Sequence, residues 1–218
     1  MYARAEYKIS INPNENTTRA VDINNDGIPD YIIYDSKYIL YAIDGKTHRI
    51  LWEYSGKKKF SRINIILVSQ KLVVFYLAYP RIFIALNIKN GKLIWEYKIE
   101  QPLAFNIEKK IRATDSHIAF WDSLQNFYII HLENGREIFI KRIGESIASC
   151  YLKGDIAYIK TVRKSLYFFN FITGTEIHSR ISLENNNKVV AFSDTLFVLW
   201  NQKQQKLISY QLKNREQN

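Results

Sequence analysis

Apolar residues in this chain fall in short runs rich in Ile, Val, Phe and Tyr, separated by brief polar breaks. Branched and aromatic side chains suit a pleated, half-buried surface, so the runs read as β-strands, and helical periodicity is weak throughout. Arg81–Ile99 shows the pattern most clearly. Two apolar runs meet there at Asn90-Gly91, a pair that accepts positive φ and so suits a tight hairpin.

The rest of the chain consists of imperfect copies of this hairpin and the two strands before it. Third-strand copies begin at Lys37, Arg81, Asn126, Ser165 and Lys206, with steps of 44, 45, 39 and 41 residues. Such steps match the 40–50-residue period of propeller blades. A second strand precedes each copy, at 30–34, 72–77, 117–121, 155–159 and 195–200. Turns at Asp44-Gly45, Asn90-Gly91, Asn134-Gly135 and Thr173-Gly174 lead into fourth strands. The fold class is therefore all-β: one propeller of four-stranded antiparallel blades over residues 1–218.

Five blades are expected, at about 17–56, 60–100, 105–143, 146–182 and 187–213. The fifth copy stops after its third strand. Glu6–Ile9 repeats the Glu96–Ile99 ending of the template, so strand 4–10 is expected to complete the last blade. Closure of that kind removes an aggregation-prone sheet edge. A piece of a seven- or eight-bladed ring is the competing reading.

The third-to-fourth-strand hairpins resemble the pyrroloquinoline-quinone-like propeller repeat, whose signature runs Ala-x-Asp-x-x-Thr-Gly-x-x-x-Trp. Ala42 to Trp52 and Ala85 to Trp95 carry it well, while Phe139 stands at the Trp position of blade three. The resemblance implies that Trp52, Trp95 and Phe139 dock each blade onto its neighbour. It does not extend to the family's quinone enzymes, which pair adjacent cysteines with a calcium-bound cofactor. This chain has only Cys150, so no pyrroloquinoline quinone is expected. A lone thiol in a strand-like run reads as a core residue.

One stretch carries metal-like chemistry. In Asp22–Asp30, oxygen side chains fall at loop positions 1, 3, 5 and 9 (Asp22, Asn24, Asp26 and Asp30), with Gly27 at position 6. That spacing can wrap a backbone around Ca2+, with the Ile28 carbonyl as a main-chain ligand. It resembles the calcium loops of FG-GAP repeats in integrin-type propellers. Ile33 replaces the bidentate Glu of an EF-hand. The bland alternative is an Asx-rich turn.

A net charge of +10 reads first as a well-solvated surface, and its functional alternative is a patch for an acidic partner such as nucleic acid, anionic lipid or polysaccharide. On propeller geometry, Lys57, Lys58, Lys59, Lys109, Lys110, Arg163 and Lys164 map to one loop face and the 22–30 loop to the other. No catalytic triad, phosphate-cradling Gly loop or metal-ligand His spacing appears. Asp115, Asp122, Asp155 and Asp194 sit near strand ends and read as turn residues. The function expected is a non-enzymatic scaffold that presents a loop face to a protein or another acidic partner, such as a polysaccharide. It would act as a monomer or as part of a larger assembly. A lectin-like propeller or degenerate glycosidase using Trp121 and Trp200 is the alternative. Nucleic acid is not expected, because the basic residues are not interleaved with aromatics in a known module. There is no apolar run of membrane-spanning length or signal-peptide form. A calcium loop leans toward an extracellular or periplasmic setting.

Overall fold

In the computed structural model, the described residues are 19–35, 39–56, 63–103, 111–183, 187–192 and 196–211. The expected closing strand at 4–10, together with Lys57, Lys58, Lys59, Lys109, Lys110 and Asp194, lies outside them. Every regular element among the described residues is a β-strand, and no helix among them is long and apolar enough to cross a membrane. The chain divides into two compact units, Met1–Leu103 and Ala104–Asn218.

Unit one holds two four-stranded meanders. The first is β1 (Arg19–Val21), β2 (Asp30–Tyr34), β3 (Leu40–Ile43) and β4 (Ile50–Tyr54). The second is β5 (Ile63–Val68), β6 (Leu72–Leu77), β7 (Ile82–Asn87) and β8 (Leu93–Lys98). Each strand pairs antiparallel with the next in sequence. Strand β6 is buried along its whole length, as expected of a strand covered on both faces. The facing surfaces of the two sheets share one core built from Ile32, Ala42, Trp52, Phe75, Ile84 and their neighbours.

Unit two repeats the plan. Its sheets are β9 (Ile111–Ala113), β10 (His117–Trp121), β11 (Asn126–His131) and β12 (Glu137–Arg142), then β13 (Ile147–Lys153), β14 (Ile156–Thr161), β15 (Ser165–Asn170) and β16 (Thr175–Ser182). A three-stranded sheet follows, of β17 (Asn187–Phe192), β18 (Leu196–Asn201) and β19 (Lys206–Gln211). One core joins the third and fourth sheets through Trp121, Phe139, Cys150 and Phe169. Another joins the fourth and fifth through Tyr158, Phe168 and Phe197. These are blades of a β-propeller, and within each unit neighbouring blades bury a face against one another.

The third-to-fourth-strand turns correct one expectation. The signature glycine position is occupied by Gly91, Gly135 and Gly174, at φ +66°, +68° and +72°, and in the first sheet by His48 at φ +58°. His48 N–H donates to the Asp44 carbonyl at 2.9 Å, just as Gly91 N–H does to Asn87 and Gly135 N–H to His131. Asp44-Gly45 is therefore not the equivalent turn pair. Gly45 is required for another reason: a Cβ there would overlap the Pro29 carbonyl.

A bulge recurs just ahead of each docking position. Ala42 pairs with Trp52 but Ile43 with Ile50, and Ala85 pairs with Trp95 but Leu86 with Leu93. Ile129 and Ile130 face Phe139 and Glu137 in the same way. The extra residue (Leu51, Ile94 or Ile138) faces no partner. A bulge of this kind twists a strand and re-aims the side chain that follows it.

Candidate functional site

The docking aromatics show what that re-aiming achieves. In unit one, Trp52 leaves the first sheet and lies over the third-to-fourth-strand turn of the second. Its Nε1–H donates to the Ile88 carbonyl at 2.7 Å. Its ring sits so close to Gly91 that a Cβ there would lie 2.7 Å from Cε3. In unit two, Phe139 packs on Phe169 of the next sheet, with centroids 5.5 Å apart. Trp95 is buried as well.

The 22–30 loop is held by its own side chains. Asp22 accepts the amides of Asp26 at 3.1 Å and Gly27 at 3.0 Å. Asn24 accepts the Asp26 amide at 2.9 Å, and Asp26 accepts that of Ile28 at 2.9 Å. Asp30 turns inward and is fully buried. Its two carboxylate oxygens accept the amides of Ile23 and Gly45, each at 2.8 Å. Asn24 also donates to Asp44 at 3.1 Å. The loop is thereby stitched to the turn after β3, where Asp44 accepts the amides of Thr47 and Lys46. Those donors, Thr47 first, hold the Asp44 carboxyl below its ordinary range. Among the described residues, no three His, Cys, Asp or Glu side chains converge to hold a metal.

The turns joining second and third strands are anchored by acids. Asp122, fully buried at the end of β10, accepts the amides of Leu124 and Asn126 through one oxygen. Through the other it accepts Asn126 Nδ2 at 2.7 Å and the Tyr128 hydroxyl at 2.9 Å. Burial, followed by this carboxylate, pushes the Tyr128 phenol well above its usual range. Asp35 and Tyr41 repeat the pair in the first sheet at 3.3 Å. In the fourth sheet Glu145 supplies the carboxylate instead, accepting from Thr161 at 2.8 Å and Tyr167 at 3.4 Å. These acids are structural anchors, each engaged by several donors, and they form no exposed catalytic pair.

At the tips of these same turns a second pattern appears. Arg81, Gln125, Lys164 and Gln205 each immediately precede a third strand, at φ between +50° and +69°. The carbonyls of Arg81, Gln125 and Lys164 accept the amides of Ile99, Ile143 and Leu183, just beyond the fourth strands. Next to them sit exposed apolar side chains: Tyr79 in unit one, and Leu124 and Val162 in unit two. Arg163 and Lys164 are exposed beside Val162. Sequence reasoning identified those two cations but missed the apolar tips, whose only signal is their repetition at one point of the blade. Trp121 is buried and offers no ring face to a sugar, and Trp200 is half-buried. Cys150 is a core thiol that burial pushes up to about 12.

A family model described as outer membrane protein assembly factor BamB matches residues 14–180. Among solved structures, BamB from Moraxella catarrhalis is 14% identical, with a TM-score of 0.52 over 88% of this chain and 63% of that one. The computationally designed Ika8 protein is 12% identical, with a TM-score of 0.58 over 89% of this chain and 57% of its own. Sqt1 of Saccharomyces cerevisiae is 10% identical, with a TM-score of 0.55 over 91% and 60%. At these identities the likeness is one of fold, and the chain spans about 60% of the length of these structures. No curated protein sequence matches the chain.

Proposed function

Because this chain belongs to the outer membrane protein assembly factor BamB family, we propose that it is a non-enzymatic propeller scaffold whose second-to-third-strand turns dock an acidic protein partner. The observation that carries this is the composition of those turn tips. In unit two, Leu124 is 51% and Val162 65% exposed, with Arg163 and Lys164 alongside. The matching turn of unit one exposes Tyr79 at 68% next to Arg81. A turn serving only to reverse the chain has no need of large apolar side chains in water. Apolar tips rimmed by cations are the composition of a protein-binding face. Bulky residues kept in the left-handed region, where glycine is easier, fit the same view: strain is tolerated where a side chain is needed.

The test is affinity capture from the native source by wild type, by the pair Val162→Asp with Lys164→Glu, and by Lys46→Glu on an opposite-type turn. A partner retained by wild type and Lys46→Glu but lost by the double variant supports the reading. A partner set identical across all three overturns it.

Calcium is a separate proposal for the 22–30 loop, supported by the spacing of Asp22, Asn24, Asp26 and Asp30 and not by their geometry. The oxygens that accept these amides keep lone pairs with which to meet an ion. Melting in calcium against EGTA is the check, and a calcium-dependent rise lost in Asp26→Ala is the supporting outcome. Identical melting in both buffers removes calcium from the account.

A further inference from the structure

Between the inner strands of the fourth and fifth sheets, both within unit two, lies a cavity of about 430 Å³. That size falls in the range of small-molecule sites. Its floor is set by strand register. Tyr151 of β13 lies directly opposite Tyr158 of β14, and Ser149 lies opposite Lys160. Side chains alternate along a strand, so these four share one face. Val189 and Ala191 of β17 form the facing wall. The intervening residues Cys150, Ala157 and Ile159 point the other way, into the core shared with the third sheet.

The two tyrosine rings stack 5.5 Å apart and 22° from parallel. Tyr158 is buried, and its phenol is held above its ordinary value, by burial first and by Tyr151 second, so it stays a neutral O–H donor. Tyr151 is 52% exposed and stands at the mouth. Lys160 is half-buried, two residues along the strand from Tyr158. Among the described residues no carboxylate or other acceptor pairs with it. An ammonium that no described residue pairs gains from binding an anion. The aromatic pair and the Val189 side chain gain from a flat apolar body. The one cation among the described lining residues is too little charge for a polyphosphate.

The geometry points to a binding site for a small aromatic carboxylate. Its ring lies against Tyr151, Tyr158 and Val189. Its carboxylate meets the Lys160 ammonium, with the Ser149 hydroxyl as a second donor. This site is distinct from the turn tips that dock a protein, and either can fail without the other.

Titration calorimetry and saturation-transfer NMR on the full chain test it, with indole-3-acetate, tryptophol (the same ring carrying an alcohol) and acetate as probes. Indole-3-acetate is expected to bind with a millimolar or tighter Kd, tryptophol about tenfold more weakly, and acetate without saturation. Lys160→Met should abolish the preference for acid over alcohol. Tyr151→Ser, at the exposed mouth, should weaken both ring-bearing probes about tenfold. Tyr158 also belongs to the core with Phe168 and Phe197, so it is left intact. No binding of indole-3-acetate at millimolar concentration overturns the site. So does an acid-to-alcohol ratio that survives Lys160→Met.

Discussion

Two glycines with nearly the same backbone angle make unequal demands on their surroundings. Gly91 (φ +66°) lies under the Trp52 ring, whereas Gly174 (φ +72°) opens onto empty space. An Ala at either site pays the left-handed penalty of about 1 kcal/mol, but at Gly91 the Cβ also displaces an indole, for a total of about 3 kcal/mol. Urea denaturation of the two variants should show that difference, and equal losses would mean that Trp52 yields freely. The opposite change is expected at Lys164, whose φ is +63°. Lys164→Gly relieves strain and should raise stability by about 1 kcal/mol, while removing a cation from the docking turn. His117 brings in pH. Its Nδ1 lies 2.8 Å from the Ser116 hydroxyl, and its ring meets His131 and Phe171 at 5.6 and 5.0 Å. Burial first, and the neighbouring His131 second, lower its pKa despite the opposing pull of Asp155. The unfolded chain therefore takes up this proton first as pH falls. The stabilisation is complete above about pH 6.5 and is lost as pH drops from there through the folded value. Melting curves from pH 7.5 to 5 should slope less in His117→Gln than in wild type.

At the scale of strands and turns, Asp30 is a tie between separate elements. Its carboxylate bridges the loop after β1 to the turn after β3 through two amides. Asp30→Ala leaves one buried and one part-buried donor unpaired and should cost about 3 kcal/mol whether or not calcium is present. A loss seen only with calcium would instead make the ion the tie. This is also where the sequence could be read and where it could not. Strands β2, β6 and β10 fall at the residues that the apolar runs mark out, because burial along nearly their whole length leaves a continuous hydrophobic signature. The first hairpin turn was misassigned, because the pattern seeks a glycine and finds Gly45. That glycine answers to the Pro29 carbonyl, and a main-chain atom leaves no trace in a pattern of side chains. Asp122 is the turn residue its position suggests, but its bond to Tyr128 could not be read, since the two become neighbours only once β10 and β11 pair. The cavity at Lys160 was invisible for the same reason: it needs β13, β14 and β17 side by side.

Across the whole molecule, burial is unevenly shared. Strand β6 is buried at every position, while β19 is exposed or half-buried throughout. Local opening costs least where few apolar contacts must be broken. Hydrogen exchange should therefore deuterate Lys206–Gln211 well before Leu72–Leu77, by orders of magnitude in rate. Comparable protection of the two strands would indicate that β19 is covered by something beyond the described residues.

The seam between the first two sheets has a consequence for how such a chain can be rebuilt. Trp52 requires a glycine and an outward carbonyl from the sheet it meets, and finds both in Gly91 and Ile88. Phe139 requires an aromatic slot and finds it at Phe169. Each seam is a lock whose two halves belong to different repeats, so a sheet transplanted by itself carries the wrong half on each side. Gene duplication or design that cuts at the sheet boundaries breaks both locks. Cutting between a third strand and its fourth keeps every lock and key on one cassette.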